Sequence, residues 1–139
     1  MTDAQELVSR LESLSLTNAE FRHRQHLEVT FWYLRSKGVE AGGQAVARAI
    51  EAFATHLGHA NKFHQTITLC WVRLVAAAIA EAGPCDSPDA LIAAHPGLLD
   101  KRLPFRFYTS ELLSSDKARR EWVEPDLRPL PPQTNLRTS

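Results

Sequence analysis

The chain has no net charge: over 139 residues, Lys and Arg number 16 and Asp and Glu number 16. A neutral chain presents no electrostatic footprint for nucleic acid or an anionic bilayer, so neither is expected as a main partner. Long apolar runs are also missing. The longest, around Leu74 to Ala80, is too short to cross a membrane and carries Arg73 and Glu81 at its edges. The start, Met1-Thr2-Asp3-Ala4-Gln5-Glu6, is acidic and lacks the apolar core of a secretion signal. Only two cysteines occur, Cys70 in an expected helix and Cys85 in an expected loop. So placed, they read as reduced thiols of a cytoplasmic protein rather than as a bridge. Glycine-rich phosphate loops, serine elbows and CxxC pairs are absent, as are alternating strand patterns and hairpin dipeptides.

What is present is helical, and its length suits one domain with a real core. Residues 2 to 14 place Leu7, Leu11 and Leu14 at spacings of four and three. Thr17-Asn18-Ala19-Glu20 reads as a capping box opening a second helix that runs to Lys37 and stops at Gly38. A third, from about Gly43, carries Val46, Ile50, Phe53 and Leu57 on one face and stops at Gly58; the Gly42-Gly43 pair is expected to fray its start. Asn61 is the expected cap of a fourth helix reaching Ala82, placed centrally because Ala76-Ala77-Ala78 admits a close neighbour. Ser87-Pro88-Asp89 starts a short helix ended by His95-Pro96-Gly97. Residues 98 to 108 read as irregular, and Ser114 or Ser115 caps a last short helix through Trp122. The expectation is an all-α domain over residues 1–126, a bundle of four main helices plus short C-terminal ones. An extended proline-rich tail follows over 127–139.

Helices joined by short loops run up, down and up, so the start of the second, the end of the third and the start of the fourth share one end. Those positions carry five of the six histidines: His23, His26, His56, His59 and His64. On a wheel of 100° per residue, His23 and His26 fall in one stripe with Leu27, Thr30 and Leu34. His64 and Thr68 share a face with Trp71, Val75 and Ala78. Both stripes turn polar at their N-terminal halves, which predicts a pocket lined by His23, His26, His64 and Thr68, with Trp71 as a wall. His56 lies off the apolar face, His59 follows the Gly58 stop, and His95 ends a helix.

Two readings of these imidazoles stand side by side. In the functional one, His64 is a general base or ligand, His23 and His26 position a substrate, and Thr68 assists. Residues three apart on a helix hold their Cβ atoms roughly 5–6 Å apart. That spacing lets His23 and His26 share a divalent metal such as zinc or iron, at a Zn–N distance of about 2.0–2.1 Å, with His64 as third ligand. Arg102, Arg106 and Tyr108, on the irregular segment, are then candidates for a lid that clamps an anionic group. In the structural reading the histidines only satisfy buried partners, and the chain is a non-catalytic interaction or regulatory module. His-x-x-His without a carboxylate is a weak metal signal, and Thr66 and Thr68 commonly bond back to their own helix. Cys70 has no basic neighbour that would make it a nucleophile.

The strings Phe21-Arg22-His23-Arg24-Gln25-His26, Lys62-Phe63-His64-Gln65-Thr66-Ile67-Thr68 and Pro125-Asp126 resemble a group of small, uncharacterised bacterial proteins. Their pattern is F-x-H-x-x-H, then K-[YF]-H-x-T-x-T, then a C-terminal PD, so the likeness covers residues 21 to 126. Many members carry Glu where this chain has Gln65. The resemblance implies no reaction; it implies that His23, His26 and His64 belong together.

Overall fold

The computed structural model describes residues 3–83 and 85–131. Seven α-helices and no strand occur among them. These are α1 (Asp3–Glu12), α2 (His23–Lys37), α3 (Val39–His56), α4 (Gln65–Ala82), α5 (Pro88–Ala94), α6 (Ser110–Leu113) and α7 (Asp116–Arg120). Single 3₁₀ turns fall at Asn18–Glu20, Ala60–Lys62, Pro96–Leu99 and Leu103–Arg106. The chain is all-α, as its periodicity predicts.

α4 lies at the centre. Thr66, Cys70, Val72, Leu74, Val75, Ala76, Ala78 and Ile79 are all buried, a set that no single helical stripe contains. α2 and α3 pack on it and on each other, while α1 covers the outer side of α2 through Val8 and Leu11. Gly42 sets the separation of α2 and α3: a Cβ there would stand 2.5 Å from the Tyr33 carbonyl oxygen. Gly43 does the same towards α4, where a Cβ would meet Val72 Cγ1 at 2.9 Å. The glycine pair therefore does not fray the start of α3, which begins four residues earlier at Val39, directly after Gly38 at φ 85°. Glycine is used here for close approach of two backbones.

Several helix starts differ from the expectation, each because a different side chain reaches the free amides. The Glu20 carboxylate does accept the Thr17 amide, at 2.8 Å, but it closes only a 3₁₀ turn. α2 begins later, with Gln25 Oε1 accepting the Arg22 amide at 2.9 Å. α4 is capped by His64 rather than Asn61: its Nδ1 accepts the Ile67 amide at 3.1 Å. Ser115, not Ser114, caps α7, which ends at Arg120 rather than Trp122.

Residues 98 to 108 are not wholly irregular, since two 3₁₀ turns order them. The C-terminal segment is fastened to the bundle. Buried Thr66 donates to the Glu121 carbonyl at 2.8 Å and accepts the Val123 amide at 3.2 Å. Asp126 accepts the amide and hydroxyl of Thr109 at 2.8 and 2.7 Å, which holds its carboxyl below the usual carboxylate range. In the described part of the expected tail Leu130 is buried while residues 127–129 are exposed; residues 132–139 lie outside the described residues.

Candidate functional site

A cavity of about 650 Å³ lies at the end of the bundle where α2 and α4 begin. The turn before α2 supplies Asn18, Ala19, Phe21 and Arg22. The first turns of α2 supply His23, His26, Leu27 and Thr30. Lys62 and Phe63 come from the loop before α4, followed by His64, Ile67, Thr68 and Trp71. Ile50 of α3 and Lys101 of the loop after α5 complete the wall. The side chains arrive from distant stretches because α2 and α4 run the same way, which puts both N-termini at one end. Positive helix-dipole ends gather there with them.

The three imidazoles in this wall are chemically unlike one another. His64 is fully engaged: Nε2–H donates to the Leu113 carbonyl at 2.7 Å, and Nδ1 accepts the Ile67 amide. It caps α4 and ties α6 to it. His23 is half engaged. Its Nε2–H donates to the Leu98 carbonyl at 2.8 Å, and its ring leans on Trp71 with centroids 4.6 Å apart. Because a neutral imidazole carries one proton, Nδ1 of His23 is left as an acceptor.

His26 is the uncommitted ring. It stacks on Phe21 at 4.0 Å between centroids and 26° between planes. Neither ring nitrogen takes a hydrogen bond from the described residues, and no buried side-chain nitrogen or oxygen there lacks a partner. The two facts together mean that the His26 nitrogens are not sealed in packed protein, and the residue lines the cavity. Burial, then the neighbouring His23, then Lys101 push its pKa down to about 4. At neutral pH it is an uncharged imidazole offering one donor and one acceptor.

The other residues singled out from sequence fare differently. Thr68 lines the cavity, but its hydroxyl donates to the His64 carbonyl at 2.7 Å, and Thr30 does the same to His26 at 2.7 Å. Each keeps only acceptor capacity. Arg102 and Arg106 are exposed and do not line the cavity. Tyr108 is buried away from it, its hydroxyl donating to the Val123 carbonyl at 2.7 Å. The clamp drawn from those three residues is therefore not assembled: local helix formation turns their chain segment so that Lys101 alone reaches the wall. His56 is exposed, and His59 and His95 stand outside the cavity.

The three-histidine metal set is not assembled either. His64 has no lone pair to give, since Nδ1 is spent on an amide and Nε2 carries the donated proton. Among the described residues no group of three His, Cys, Asp or Glu is placed to hold an ion. Cys70 is buried, and that burial pushes its thiol up to about 12, so it is inert.

The cations of the wall are not marked by the sequence pattern. Arg22, Lys62 and Lys101 line the cavity, and no Asp or Glu does. Lys62 stands two residues before His64. Lys101 carried no signal, because a lysine on an irregular segment looks like any solvated lysine. Comparison with family models, with curated proteins and with solved structures gives no match to this chain.

Proposed function

We propose that this protein binds a small organic anion in the cavity formed by the starts of α2 and α4. The observation that carries the reading is the charge of the lining: Arg22, Lys62 and Lys101 with three imidazoles and no carboxylate, in a chain whose formal net charge is zero. The helix N-termini of α2 and α4 add positive potential of the same sign. Phe21, Phe63, Trp71, Leu27, Ile50 and Ile67 make the rest of the wall apolar. Aromatic and aliphatic walls beside convergent polar groups are the usual make-up of a small-molecule site. A cavity of about 650 Å³ is far larger than an inorganic anion needs, so the ligand has an aromatic or aliphatic body. Both cysteines are free and buried, which supports placing the protein in a reducing compartment such as the cytoplasm.

The alternative, a non-catalytic interaction module with structural histidines, draws on His64 and on the half-engaged His23. It leaves the cationic wall unexplained. Naphthalene-2-sulfonate and its uncharged analogue naphthalene-2-sulfonamide separate the two readings by calorimetric titration. The anion should bind and the neutral analogue bind at least about tenfold more weakly, a difference of about 1.4 kcal/mol. Lys62→Glu and Lys101→Glu together should abolish that preference. Equal weak binding of both compounds, unchanged by the charge reversals, would refute the reading.

A further inference from the structure

We propose that the cavity takes up its organic anion together with one proton, which the His26 ring receives. The inference rests on the anion-binding reading and adds to it an identified contact residue and a coupling to pH. Geometry singles out His26. His64 has both nitrogens engaged and His23 has its N–H on Leu98, whereas His26 lines the cavity with neither ring nitrogen hydrogen-bonded and neither sealed in packed protein. Its ring is held in place by the stack on Phe21, so it can meet a ligand without first being ordered.

The charges around it set the direction of the coupling. Arg22 and His23 stand on its own segment, Lys62 on the preceding 3₁₀ turn of the facing element, His64 on α4 and Lys101 on the loop after α5. α3 contributes only Ile50, and the turn before α2 contributes the uncharged Asn18 and Ala19 beside Arg22. Glu20, on the turn before α2, is turned away onto Arg10 at 2.9 and 3.0 Å, and Glu28, two residues beyond His26, does not line the cavity. In the empty cavity a second positive charge is therefore opposed by burial and by His23 and Lys101, consistent with a ring pushed down to about 4. An anion reverses this. It cancels the field of Lys101 and Arg22 and gives the His26 N–H a charged acceptor, so the imidazolium becomes the favoured form in the complex. By linkage, the anion must then bind more tightly as pH falls through the range between the free and bound values.

Calorimetric titration of naphthalene-2-sulfonate tests this, because the sulfonate stays ionised and any proton taken up must come to the protein. Binding should be at least about tenfold tighter at pH 5 than at pH 8. At pH 5 to 6, buffers of different ionisation enthalpy should reveal uptake approaching one proton per anion. In His26→Gln the affinities at the two pH values should differ by less than about twofold. Nuclear magnetic resonance of ¹⁵N-imidazole-labelled wild type needs no variant: at pH 6 the His26 ring should change from neutral to imidazolium when the sulfonate is added. If the wild type binds equally at both pH values, or His26 stays neutral in the complex, the proton coupling is wrong while anion binding stands. If His26→Gln keeps the wild-type pH profile, the coupling belongs to another group and the assignment is overturned. If the sulfonate does not bind at any pH, both this proposal and the reading beneath it fall.

Discussion

Acid should destabilise this protein through His26 as pH falls below about 6.5. An imidazole in the unfolded chain takes up its proton near 6.5, whereas the folded ring, buried beside His23 and Lys101, does so at about 4. Between those values the unfolded state binds the extra proton, so stability falls as pH drops through the window and levels off below it. A gap of about 2.5 pH units at about 1.4 kcal/mol each amounts to about 3 kcal/mol, an upper bound for a ring that opens onto a cavity. That is a large share of the 5–15 kcal/mol typical of a domain. Urea unfolding of wild type and His26→Gln, followed by tryptophan fluorescence at pH 7, 5.5 and 4.5 in chloride buffers, isolates the contribution. The wild type should lose more than the variant across that range, by about 1–2.5 kcal/mol, since pH 4.5 covers about 2 of the roughly 2.5 units. Glu20 does not obscure the comparison, because Arg10 holds its carboxyl down at about 2 and it stays charged throughout. Equal losses in the two proteins would show that the fold does not keep His26 neutral, and the physical basis of the proton coupling would fail with it.

Gly42→Ala should destabilise by about 1–3 kcal/mol, since the new Cβ meets backbone rather than a movable side chain; a midpoint within error of wild type would mean that α2 and α3 are not in the close contact described. His64→Ala should cost about 1–3 kcal/mol by removing the α4 cap and orphaning the Leu113 carbonyl. Zinc should then raise the thermal midpoint of neither protein, and a zinc-dependent rise in wild type that is lost in His64→Ala would restore the metal site.

The helical class was legible because it depends on local spacing. Apolar periodicity, glycine stops at Gly38 and Gly58 with φ of 85° and 77°, and the Ser87-Pro88 start are interactions within a few residues, and no distant contact overrides them. The company of His23, His26 and His64 was legible for a related reason: wheel positions and the alternating direction of short-looped helices fix which ends meet. Their chemistry was not. Whether an imidazole is a cap, a strut or an open ring depends on where its two nitrogens find partners, and those partners are Leu98, Leu113 and Ile67. Two of the three lie far along the chain, on short elements whose docking local propensity does not encode. The same holds for Lys101, brought to the wall by 3₁₀ turns, and for Gly42, whose purpose is visible only against the Tyr33 carbonyl. Periodicity decided which residues turn inward together; only tertiary packing decided which of their polar atoms were left open to a ligand, because a hydrogen bond made across the fold removes a donor or acceptor that the sequence still displays.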